Sequence, residues 1–69
     1  MIFEIENTEA QNLKVINTVL NAMLNFEVHS LNEVERILNV INPEGYIWGR
    51  SGSHIWLSQE DGKRIIIFK

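Results

Sequence analysis

Apolar residues follow two different periods along this chain. Leu13, Ile16, Leu20, Met23 and Leu24 recur at three- and four-residue steps, and Val15 and Val19 widen the stripe. Asn17, Asn21 and Asn25 repeat every four residues and form a polar face. This spacing predicts an amphipathic helix. Thr8 and Gln11 read as a capping box, so the helix is expected over 8–25. A second stripe of Leu31, Val34, Ile37, Leu38 and Ile41 follows another capping box, Ser30 with Glu33. It predicts a helix over 30–42, ended by Asn42-Pro43-Glu44-Gly45 because proline cannot continue a helix.

Elsewhere the period is two. Residues 1–6 alternate and read as a short edge strand. Beyond Gly45, Tyr46–Gly49, His54–Gln59 and Arg64–Phe68 read as strands, separated by Arg50–Ser53 and by Asp61-Gly62, a strong hairpin signal. The expected fold class is α+β: a single domain over 1–69, with two helices on one face of a three- to four-stranded antiparallel sheet. The element order is β-α-α-β-β-β, ending in a three-stranded meander over 46–68.

Register adds a face to each strand residue. If Asp61-Gly62 is a two-residue turn, Glu60 opposes Lys63, Gln59 opposes Arg64, Leu57 opposes Ile66 and Ile55 opposes Phe68. The last two pairs then share the core face beneath the helices. If Arg50 stands across from His54, Trp48 meets Trp56. The opposite face then carries Tyr46, Trp48, Arg50, His54, Trp56, Ile65 and Ile67. A domain this small has little to cover such a face, and tryptophan, tyrosine and arginine are enriched at interface hot spots. A homodimer through that sheet face is one reading, and cross-strand tryptophan packing is the plain structural one.

Composition narrows the functions. At 69 residues the chain makes one domain that buries about 60% of its unfolded surface. It has no cysteine, which excludes disulfide scaffolds and zinc ribbons. Two histidines without carboxylate spacing give no metal site, and no cofactor motif is present. The longest apolar run, Ile65–Phe68, is far too short for a membrane span, and Glu4 and Glu6 interrupt any signal-like stretch. A cytoplasmic protein is therefore expected. The net charge of −3 splits into −5 over residues 1–45 and +2 over residues 46–69. Overall acidity opposes non-specific nucleic-acid binding, whereas the basic second half leaves an anionic partner open.

The local pattern Gly45-Tyr46-Ile47-Trp48-Gly49-Arg50-Ser51-Gly52-Ser53-His54, followed by Asp61-Gly62-Lys63-Arg64, resembles the HicA family of small toxin ribonucleases over residues 32–68. The shared features are a helix ending in glycine and an aromatic residue, an Arg-x-Gly-Ser-His turn, and an Asp-Gly turn before a basic-then-aliphatic strand. The resemblance implies a fold similar to the double-stranded-RNA-binding domain and metal-independent RNA cleavage with His54 as the catalytic residue. An antitoxin would then be a partner. Imidazole suits proton transfer near neutral pH. Arg50, Lys63 and Arg64 would neutralise phosphates, and Trp48 and Trp56 would stack on unpaired bases. Ser53 stands beside His54, and Tyr46 lies on the same expected face. The competing reading is a non-catalytic, acidic protein-binding module, such as a small regulator or a phage or mobile-element inhibitor of a host protein. It would use the same residues as a docking face.

Overall fold

The computed structural model describes residues 2–69. Strand β1 (Phe3–Ile5) leads into helices α1 (Ala10–Asn25) and α2 (Leu31–Ile41). Strands β2 (Tyr46–Ser51), β3 (His54–Gln59) and β4 (Arg64–Phe68) follow. The sheet runs β1-β4-β3-β2 and every neighbouring pair is antiparallel. The expected α+β architecture is therefore present, with the N-terminal strand added beside the last one. Helix α1 lies against β4 and α2 against β3. Ile16, Val19, Met23, Val28, Val34 and Leu38 meet Ile55, Leu57, Ile65, Ile66 and Phe68 in one buried cluster.

The helix ends show how local chemistry sets their limits. The Thr8 capping box does not form. Instead Asn7 Oδ1 accepts the Glu9 N–H at 2.9 Å, a local turn that delays the helix to Ala10. The second box does form: Ser30 Oγ accepts the Glu33 N–H at 3.3 Å. Glu33 Oε1 accepts in return from the Ser30 hydroxyl and the His29 N–H. At the end of α1, Val28 N–H reaches the Met23 carbonyl and Glu27 N–H reaches that of Leu24. These bonds and the buried Val28–Met23 pair make a Schellman termination. It places Glu27 at φ +50°, where glycine is the usual occupant. Leu13 and Leu24, assigned to the apolar stripe by spacing, are in fact exposed on α1.

The expected register is corrected at both hairpins. Gln59 N–H donates to the Lys63 carbonyl and Gly62 N–H to that of Gln59, with Gly62 at φ +93°. The loop thus has three residues, and Ser58 rather than Gln59 opposes Arg64. A bulge between Leu57 and Ser58 absorbs the difference, with Ile65 as the extra residue. The pairs Leu57–Ile66 and Ile55–Phe68 stand as expected, and both Ile65 and Ile66 enter the core. In the first hairpin Ser51, not Arg50, opposes His54. The turn is Gly52-Ser53, with positive φ only at Gly52, as a II′ turn requires.

That one-residue shift reverses every β2 side chain. Tyr46 and Trp48 pack against the core cluster instead of lying on the open face. The Tyr46 hydroxyl donates to Asn12 Oδ1 at 2.6 Å, and Asn12 Nδ2 donates to Gln59 Oε1 at 3.1 Å. Asn12 is fully buried, so this network anchors the first turn of α1 to the sheet with its polar groups satisfied. The strain at Glu27 yields a test: Glu27→Gly should raise stability by about 1 kcal/mol, read from urea unfolding, since it relieves a left-handed non-glycine residue.

Candidate functional site: the uncovered sheet face

Both helices occupy one side of the sheet, so the other side is bare. Strand parity and register arrange it as three rows across β2, β3, β4 and β1. Gly49, Trp56, Ile67 and Glu4 form the middle row. Ile47, Ser58 and Arg64 lie on one side of it. On the other side stand Ser51 and His54. The register continued by one residue brings Lys69 opposite His54, and Lys69 in turn exchanges backbone hydrogen bonds with Ile2.

The centre of this face is apolar. A Cβ placed on Gly49 would lie 2.6 Å from Trp56 Cζ2, so the indole rests directly over the glycine of the neighbouring strand. Only a residue without a side chain lets the ring lie flat there. Ile67 is buried beside it, and Ile47 is 53% exposed at the β2 edge. The rim is charged but balanced: Lys69 Nζ lies 2.9 Å from Glu4 Oε1, and Arg64 Nε lies 2.9 Å from Glu6 Oε1. His54 is half-buried at one corner, with Ser53 Oγ 3.3 Å from its Nδ1. It has no carboxylate partner among the described residues.

Of the residues expected on one face, only His54, Trp56 and Ile67 are brought together here, with Ser53 in the adjoining turn and Arg64 at the opposite end. Tyr46, Trp48 and Ile65 belong to the core side. Arg50 also lies on that side, where its guanidinium meets Glu35 Oε2 at 3.0 Å and Asn32 Oδ1 at 2.7 Å. Lys63 is exposed in the Asp61-Gly62 turn, away from the centre. Spacing missed Glu4 and Glu6, whose carboxylates complete the rim. Their alternation in residues 1–6 was visible, but their cationic partners lie at the far end of the chain. Among the described residues no cluster of three histidine or acidic side chains is placed to hold a metal ion. No helix among the described residues is long and apolar enough to cross a membrane.

Comparison with protein-family models, with curated proteins and with solved structures returns no match to this chain, so its site is read from its own residues. The Trp56–Gly49 contact can be probed directly. Gly49→Val should displace the indole and cost about 1–3 kcal/mol in urea unfolding followed by circular dichroism.

Proposed function

We propose that the chain is a non-catalytic protein-binding module that docks a protein partner on its uncovered sheet face. The observation carrying this reading is the anatomy of that face. An aromatic and aliphatic centre, Trp56 with Ile67 and Ile47, is ringed by the ion pairs Lys69–Glu4 and Arg64–Glu6. Apolar centres with charged rims are the usual plan of protein interfaces, and tryptophan is among the residues that dominate their energetics.

Charge supports this reading over RNA. Affinity for nucleic acid comes largely from cations that neutralise phosphates. Here Arg50, Arg64 and Lys69 each have a glutamate within 3.0 Å. Such exposed pairs are worth about 0–1 kcal/mol and open readily. The freed carboxylates nevertheless stay beside any phosphate that replaces them. The acidic balance of the chain adds to that repulsion.

One observation favours the second reading, a HicA-like ribonuclease: His54 stands on the bare face beside Ser53 and opposite Lys69 by register. Imidazole and ammonium at one corner are suitable groups for proton transfer and phosphate contact. The two readings separate on single substitutions. Trp56→Ala should reduce retention of a specific protein partner at least about tenfold in affinity capture from the source cells, without loss of helix or sheet signal. His54→Ala should leave that retention intact. Degradation of cellular RNA on expression of the wild type, absent with His54→Ala, would instead establish the ribonuclease.

A further inference from the structure

The outer edge of β1 is a second unpartnered surface, separate from the face just described. Ile2 exchanges both backbone hydrogen bonds with Lys69, at 3.3 and 2.8 Å, and Glu6 N–H donates to Ile65 at 2.8 Å. Residues 2, 4 and 6 therefore turn their peptide groups toward β4, and Phe3 and Ile5 turn theirs outward. Their side chains point to the helix side, where Phe3 packs on Phe68 with ring centroids 6.4 Å apart. Helix α1 lies over β4, and Phe3 and Ile5 on the neighbouring β1 remain 46% and 42% exposed. Between Phe3 and the end of α1 runs a largely apolar groove of about 650 Å³, lined by Phe3, Leu20, Met23, Leu24, Val28 and Phe68 together with the polar Asn21, Glu27 and His29.

We infer that β1 pairs antiparallel with β1 of a second copy of this chain, about a two-fold axis through Glu4, joining two sheets into one of eight strands. The register follows from the parity. Centred on Glu4, the pairing sets Phe3 against Ile5 of the second copy and Ile5 against its Phe3, so every outward peptide group is used. Both contacts are aromatic to β-branched pairs on the helix side, a favourable cross-strand combination.

Two features select a second copy over an unrelated strand. On the bare face the axis brings Glu4 to Glu4, yet each carboxylate already holds a Lys69 ammonium at 2.9 Å. Two-fold symmetry therefore builds a neutral cluster of two carboxylates and two ammoniums, and a foreign strand would lack the second pair. On the helix side, the two α1 helices would lie over β4 strands three strand spacings apart, about 14 Å. Directly packed helices lie about 8–10 Å apart. The remaining gap matches a layer of side chains, which Phe3, Leu20 and the 76% exposed Leu24 of both copies supply. An isologous contact of this kind closes on itself and stops at two.

The test is sedimentation of the wild type from low micromolar to millimolar concentration, with amide exchange of Phe3 and Ile5 measured across the same range. The expected result is a monomer–dimer transition, with both amides exchanging about tenfold more slowly when dimeric, since neither has an acceptor within its own copy. Ile5→Pro removes an outward N–H and no bond to β4, and Phe3→Glu charges the contact; both should remain monomeric. Should either variant unfold, the exchange measurement stands without any substitution. A monomer at every concentration with constant Phe3 and Ile5 exchange overturns the proposal, as does a dimer that survives both substitutions. Neither outcome bears on Trp56→Ala, so failure here is distinct from failure of the docking face.

Discussion

The II′ turn at Gly52-Ser53 sets the parity of the first hairpin, and most of the surface chemistry depends on it. Strand side chains alternate, so placing Ser51 rather than Arg50 across from His54 sends Tyr46, Trp48 and Arg50 toward the helices. There each gains a structural task. Tyr46 closes the buried network with Asn12 and Gln59, Trp48 covers the core, and Arg50 ties β2 to α2 through Glu35 and Asn32. The same parity leaves Gly49 on the bare side, where the Trp56 indole occupies the space its absent side chain would fill. A glycine at the first turn position meets the positive φ at little cost, which is why so much can rest on one residue.

The uneven charge along the chain becomes internal pairing once the chain folds. The acidic first half and the basic second half meet as Glu4–Lys69, Glu6–Arg64 and Glu35–Arg50. Two of these pairs cross between β1 and β4, the first and last strands. A linear reading of charge locates a positive half that the folded molecule does not present as an unopposed positive surface. What remains on the sheet is an apolar centre with a neutral rim, and that difference moves the functional reading from phosphate toward protein.

Much of the architecture was legible because burial imposes periodicity. The stripe from Ile16 to Met23, the box of Ser30 and Glu33, and the alternation of β3 all carried it. The register was less so, because it depends on the exact length of turns. Asp61-Gly62 suggests a two-residue loop, but Gly62 takes the left-handed position of a three-residue one. The core pairs came out right only because the Ile65 bulge adds back one residue. At the first hairpin nothing compensates, and the expected aromatic face dissolved. Asn12 was illegible for another reason: its burial depends on Tyr46 and Gln59, distant partners that no local window contains. The Thr8 box was legible but lost to the nearer side chain of Asn7.

The pairing of the first strand with the last also has a mechanical meaning. Ile2 and Lys69 are hydrogen-bonded neighbours at the same end of the β1–β4 ladder. Tension between these two residues runs along the direction of their hydrogen bonds, across the strands, because antiparallel ladders bond perpendicular to the chain. The load therefore falls on one rung at a time, starting from the Ile2–Lys69 pair and passing inward to Glu4 and Ile67. Pulled there, the molecule opens like a zipper at low force. Pulled from the helices against the sheet, it must shear the packed core at once.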